Sequence, residues 1–323
     1  MGLRGDLPES MTKDMYKCKF EVWDKEKPMH SVLMQVVNNC KGAGEKETQL
    51  LGAEAFIEPD AENRGTEFSE PIEGHKFYCR YRTFKRGIRF SAEQVEDDIK
   101  IGGIVKKYAS TWTKREIQMK ETVASYVFTK GGLTAGHSVF NGTHTNQADP
   151  YGDMMYDNQS FFVLSADEYE HKGGGKYYNS VASLTLTPAN FETIYNLAAV
   201  TNAYDEEDTI INLTPDTLLT ESGSNKFISD RINTADKLPF GQLNDPNVYK
   251  GLCTPLDWRY LDDTGAFYVG VRNHEFLQFR NRVPMRFKYF IDNHDDSHNA
   301  TARFRFGIWV KQRLWARGGG VIA

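Results

Sequence analysis

The sequence predicts an α+β fold, and three observations carry the prediction. A few helical patterns are interleaved with antiparallel-looking strand segments, without the regular strand–helix alternation of a parallel sheet. The longest periodic stretch, Gly87 to Gly132, reads as a short basic strand running into one very long amphipathic helix. The tail from Ala266 onward is strand-rich. No internal repeat at a solenoid period competes with this reading.

The totals narrow the function classes. With 323 residues and 36.8 kDa, the chain can form one elaborated domain or two. A net charge of −5 and a pI near 6.0 give no bulk footprint of a nucleic-acid binder. The start, Met1 to Pro8, has no apolar stretch of a secretory signal, and Asp6 argues against myristoylation at Gly2. No apolar run is long enough to cross a membrane, so no membrane partner is expected. Cys18, Cys40, Cys79 and Cys253 are scattered without a C-x-x-C pair, which argues against zinc and thioredoxin chemistry and for reduced thiols.

Along the chain, residues 1–50 are mixed and polar and read as an extended arm with short helical pieces. Residues 51–90 read as a two-stranded excursion. Its first part, Glu54 to Glu73, is acidic and broken by Pro and Gly; its second, Lys76 to Arg86, is basic, aromatic and strand-like. An isolated ribbon of this kind is marginal in water, so it needs support from its own chain or a neighbour. Ser91 and Gln94 then form a capping box, with Glu93, Glu96, Asp97 and Asp98 on the positive end of the helix dipole. Val95, Ile99, Val105, Tyr108, Trp112, Met119, Val123 and Tyr126 recur at helical spacing up to the Gly131-Gly132 stop. Roughly 38 residues at 1.5 Å each make a rod of about 57 Å. Further on, Thr187 and Pro188 open a second helix through Phe191, Ile194, Tyr195 and Leu197. Strands are expected at Thr209–Leu213 and Asp216–Thr220, and a third helix at Asn225–Ile232. The closing strands are Ala266–Val271, Met285–Ile291 and Arg303–Val310.

Catalytic motifs are weak. Asp292-Asn293-His294-Asp295-Asp296-Ser297-His298 offers two histidines among carboxylates, but it lies between strand patterns and reads as a hairpin tip. Gly173-Gly174-Gly175-Lys176 lacks the outer glycine and the hydroxyl residue of a phosphate loop, and reads as a flexible loop. No nucleophile elbow or H-E-x-x-H helix occurs, so neither an enzyme nor a cofactor is expected. The basic aromatic strand Lys76 to Arg89 leaves one other class open, a single-strand nucleic-acid binder.

The order of these parts resembles the major capsid protein of tailed phages, the Hong Kong 97 fold, and in particular its Mu-like major head subunits. Arg86-Gly87-Ile88-Arg89-Phe90-Ser91 with Val95-Glu96-Asp97-Asp98 looks like the family's junction between E-loop and spine helix. Ile211 to Leu218, Gly251 to Trp258 with Ala266 to Gly270, and Ala302 to Trp309 with Trp315 to Gly320 are similar to its later strands. The loop from Tyr151 to Tyr177 departs from it, being longer and more polar. The resemblance implies an N-terminal arm at 1–50, an E-loop hairpin at 51–90, a P-domain with the spine helix at 91–184, an A-domain at 185–270 and P-domain closing strands at 271–323. It also implies the function: hexamers and pentamers of an icosahedral virion shell around double-stranded DNA, assembled in the host cytoplasm. Scaffold, portal and decoration proteins are its possible partners, and an encapsulin-like compartment is the alternative within the fold.

Three expectations follow for this shell. The acidic tip, with Glu58, Asp60, Glu62, Glu67, Glu70 and Glu73, is expected to dock on a neighbour's cations, among them Arg272, Arg280, Arg282, Arg286, Lys288, Arg303 and Arg305. Gly102-Gly103 is expected either to bend the spine helix or to admit close packing of another chain. No lysine lies between Glu47 and His75, so the isopeptide locking known in part of the family is not expected, and Met1 or Gly2 is expected to survive in the mature particle.

Overall fold

The computed structural model describes residues 3–23, 28–38, 40–42, 44–51, 72–97, 101–131, 160–237, 246–262, 265–292 and 294–320. Helix α1 (Leu3–Trp23) leads to one helical turn, α2 (His30–Leu33), and strand β1 (Met34–Asn38). Strands β2 (Gly44–Leu51) and β3 (Ile72–Arg80) form the ribbon, and β4 (Arg82–Phe90) continues from it. Helices α3 (Ala92–Asp97) and α4 (Ile101–Thr129) follow. Three two-residue strands come next: β5 (Tyr169–Glu170), β6 (Lys176–Tyr177) and β7 (Ser180–Val181). Then come α5 (Pro188–Asn196), β8 (Thr217–Glu221), α6 (Ser224–Thr234), β9 (Thr254–Trp258) and β10 (Phe267–Gly270). The long strands β11 (His274–Ile291) and β12 (His298–Val310) and the short β13 (Trp315–Gly318) close the chain.

Two sheets organise the molecule. One has the order β1-β11-β12-β4, antiparallel except for β1 beside β11. The other has the order β7-β13-β10-β8-β9 and carries α5 and α6. The main core lies between the first sheet and the helices α1 and α4, with Met11, Met15, Val105, Ala109, Phe279, Phe287, Phe304 and Phe306 buried together. Phe128, near the end of α4, ties that helix to the second sheet: its ring meets Trp258, Tyr268 and Trp315 edge-on at 6.0, 5.3 and 5.1 Å. Phe191, Ile194, Leu218, Phe267 and Val269 form a second core under α5.

Local chemistry sets the helix ends. Ser91 Oγ accepts from Gln94 N, and Ser91 N donates to Gln94 Oε1, both at 3.2 Å, so the capping box forms as read from the sequence. Gly131 stops α4 by close approach: a Cβ there would lie 2.2 Å from the Val127 carbonyl and 2.9 Å from the Phe162 ring. Thr187 caps α5 through Asn190 N at 3.3 Å, with Pro188 at the first helical position.

The structure corrects four readings. The arm is not extended: α1 is a helix of 21 residues, and Met11, Met15, Cys18 and Val22 turn one stripe toward the core. A second stripe covers the open edge of β11 beyond its pairing with β1. Tyr289 N donates to Thr12 Oγ1, Phe287 N to Tyr16 OH, and Lys19 Nζ to Met285 O, at 3.4, 3.2 and 2.9 Å. The ribbon strands are Gly44–Leu51 and Ile72–Arg80, so the acidic and basic stretches are not its two halves. Thr209–Leu213 forms no strand; Ile210 makes a single bridge to Tyr204 and is 71% exposed. The glycines at 173–175 are neither a phosphate cradle nor slack. They wrap the Asp208 carboxylate, which accepts from Gly175 N and Tyr177 OH at 2.9 Å, and a Cβ at Gly173 or Gly175 would collide with it.

Candidate assembly surface

The ribbon and the outer face of the first sheet form one continuous surface. Alternation along β12 turns Phe304 and Phe306 inward and Arg303 and Arg305 outward. The outer face is divided in two. Toward Trp309 it is covered by the base of the ribbon: Cys40, Phe77, Cys79 and Tyr81 bury around the Trp309 ring, and Cys79 Sγ lies 3.6 Å from Ile308 O. The base of the ribbon therefore finds support inside its own chain, one of the two sources the sequence leaves open. Ion pairs bind this half: Arg280 with Glu45, and Lys311 with Glu47 at 2.9 Å. The Arg280 guanidinium also stacks 3.6 Å from the Trp309 ring centroid, and burial draws its pKa below the ordinary value.

The other half is open. Its cations come from segments more than 200 residues apart: Lys85 on β4, Arg286 and Lys288 on β11, Arg303 and Arg305 on β12. Register puts Lys85 directly opposite Arg303, and Arg303 opposite Arg286. At the far end Arg89 pairs with Asp295 and donates to Ser297 Oγ at 3.0 Å.

The expected docking residues therefore separate. Of the acidic set, Glu58, Asp60, Glu62, Glu67 and Glu70 lie outside the described residues. Glu73 is on β3, exposed, with Lys76 Nζ at 3.6 Å. Among the cations, Arg272 pairs with Asp216 at 3.2 Å, Arg280 with Glu45, and Arg282 donates to Gly42 O at 3.0 Å. Arg286 remains exposed on the open half. Gly102 and Gly103 both belong to α4 but sit in its first turn, and a Cβ at Gly103 would meet nothing within 4 Å in this chain. The join between α3 and α4, Asp98 to Lys100, lies outside the described residues.

The chemical lures resolve into structure. The 292–298 segment is the tip of the β11–β12 hairpin, closed by Asp292 N on Ser297 O at 2.8 Å. His298 Nδ1 meets Tyr289 OH at 2.8 Å, while His294 is exposed at the turn. The rings that favoured single-strand stacking point inward: Phe84 stacks on Phe304 and Phe306 at 5.2 and 5.1 Å, and Phe77 and Tyr81 are buried. Sequence reading missed one buried network. Glu121, on α4, takes His30 Nδ1 at 2.5 Å and Trp258 Nε1 at 2.7 Å, tying α2 and β9 to the long helix. Partners 91 and 137 residues away leave no local signal.

No protein-family model matches the chain, and no curated protein sequence does. Solved structures do. The capsid of a native GTA particle, computed with C5 symmetry, is similar over 90% of this chain and 89% of its own, at 10% identity and a TM-score of 0.50. Mycobacterium phage Patience matches 100% of this chain and 89% of its own, at 11% identity and a TM-score of 0.51. The likeness is one of fold. The chain has the Hong Kong 97 fold, with mixed helix and sheet. No described helix is long and apolar enough to cross a membrane.

Proposed function

We propose that the chain is the subunit of a virion shell, assembling with its own copies into hexamers and pentamers that enclose double-stranded DNA in the host cytoplasm. The observation that carries this reading is the similarity of the whole chain, end to end, to a phage structure of the same fold. The role is geometric rather than catalytic: copies must bury enough area against one another to close a shell, and ring and lattice contacts set that area. The ribbon's acidic residues between its strands, Glu58 through Glu73, contact a neighbouring copy, and Gly102-Gly103 adjusts the long helix between positions of different curvature. Electron microscopy of the purified protein is the test. Closed icosahedral particles support the reading, and a monodisperse monomer across protein concentrations defeats it. Glu67→Lys with Glu70→Lys lowers the yield of closed particles while leaving the subunit folded; an unchanged yield removes the tip contact. Absorbance ratios of the particles separate a DNA-filled head from an empty compartment.

A further inference from the structure

The open half of the sheet's outer face carries a row of like charges that no ion pair compensates among the described residues. Lys85, Arg303 and Arg286 stand directly opposite one another on three adjacent strands, and all three are exposed. With strands about 4.8 Å apart, the row is about 10 Å long, and same-face residues two along each strand lie about 7 Å away. Lys288 and Arg305 occupy those next positions; Arg305 gives one nitrogen to Tyr81 O at 3.2 Å, and its Nε has no partner. Like charges directly opposite one another destabilise a sheet. The carboxylates paired at the two ends of this face are committed to other cations: Asp295 to Arg89, Glu45 to Arg280, Glu47 to Lys311. Among the described residues, no ion pair reaches Lys85, Arg286 or Arg303.

The character of the face selects the partner. A protein interface buries apolar anchors at its centre. Here the rings of these strands, Phe84, Phe287, Tyr289, Phe304 and Phe306, belong to the core, and the open face presents Thr83, Gly87, Thr301 and the cations. Gly87 keeps the floor between rows low: a Cβ there would meet Thr301 Cγ2 at 3.3 Å. Bases of a single strand need stacking rings, and the one ring at the margin, Phe290, is half-buried with Lys288 Nζ 5.1 Å from its centroid. A cationic lattice without anchors or rings matches regularly spaced phosphates read through their charge alone.

We propose that Lys85, Arg286, Lys288, Arg303 and Arg305 form a binding face for the phosphate backbone of duplex nucleic acid, without base readout. The proposal rests on the shell reading for the source of the duplex, not for the charge of the face.

The test uses the full chain, unassembled, and a labelled duplex of mixed sequence followed by fluorescence anisotropy. Three to five phosphate contacts give a slope of log affinity against log salt of about −3 to −5, so binding weakens roughly 50- to 1000-fold between about 50 and about 200 mM salt. Arg286→Ala with Arg303→Ala reduces the slope by about 2 and the affinity at the lower salt at least tenfold. The control, Lys172→Ala with Lys176→Ala, removes the same charge from another surface and leaves both unchanged. Circular dichroism establishes that each variant is folded. Salt-insensitive binding, or equal losses in the two double variants, overturns the proposal. So does a face that ignores the duplex but binds a synthetic peptide of residues 54–73 in an Arg286- and Arg303-dependent way, since that assigns the face to another copy of the chain. Closed shells whose dissociated subunits do not bind the duplex defeat this proposal alone; duplex binding by a chain that never forms shells defeats the shell reading alone.

Discussion

Glu121 shows how much a single buried side chain can organise. Its two carboxylate oxygens take His30 Nδ1, the His30 backbone N–H and Trp258 Nε1, and the His30 ring packs 4.4 Å from Phe279. Glu121→Ala leaves these groups buried without an acceptor and costs about 3–5 kcal/mol. Glu121→Gln keeps an acceptor for Trp258 and costs less; equal losses in denaturant midpoint for the two variants would show that shape, not hydrogen bonding, matters there. The cysteines test burial directly. Burial pushes the Cys79 and Cys253 thiols up to about 12, from an ordinary 9.0. Their folded values are raised, so the stability they contribute is fully present below about pH 9 and is lost as pH climbs toward about 12. Intact-mass analysis after alkylation of the native subunit at neutral pH is expected to show one label, on the partly exposed Cys18. Labelling of Cys79 before unfolding would contradict the packing around Trp309.

At the scale of elements, the sequence was most legible where a signal is local. The capping box, the Thr187-Pro188 helix start and the hairpin tip at 292–298 rest on neighbouring residues and appear where the sequence put them, while the closing strands expected at Met285–Ile291 and Arg303–Val310 are the ends of longer ones that begin at His274 and His298. The helix α1 was missed although Met11, Met15, Cys18 and Val22 keep helical spacing, because its other face is neither polar nor apolar in pattern: Thr12, Tyr16 and Lys19 are spent on the edge of β11. The ribbon's partner strand was missed for a related reason. Glu45 and Glu47 on β2 look like solvent residues until Arg280 and Lys311, more than 200 residues away, are placed beside them. Buried charge on α4 includes one local pair, four residues apart on the same helix. Lys120 Nζ lies 2.8 Å from Glu116 Oε1, without hydrogen-bond alignment, under the Trp23 ring. The long helix carries its own prediction. Gly103 has open space around it, so Gly103→Ala stabilises the subunit by up to about 1 kcal/mol. If the pair adjusts curvature, the same substitution lowers the yield of closed shells even as the melting temperature rises. A higher melting temperature with full yield would reduce the pair to a tolerated weakness in the first turn.

At the scale of the whole molecule, the order of parts was legible because each part is long: a helix of 29 residues and paired strands of 18 and 13 residues cannot be rearranged without changing the fold. Which surface would face another copy in the proposed shell was not, since such a contact is written on two chains at once. One property of the proposed shell nevertheless follows from the sequence alone. Covalent locking by an isopeptide bond needs an amine on the part of the ribbon that reaches a neighbour. From Glu47 to His75 the only cation besides His75 is Arg64, whose guanidinium stays protonated and is a poor nucleophile. Lys46 and Lys76 belong to the ribbon strands, and Lys76 has Glu73 beside it. Lys85 is on β4, within the sheet. Contacts between copies are therefore expected to be non-covalent throughout, with strength drawn from lapped elements or an added protein. Denaturing electrophoresis of mature particles decides the matter. A single band near 36.8 kDa is the expected result, and a ladder that survives detergent and reductant would place an amine in reach of a neighbour and overturn it.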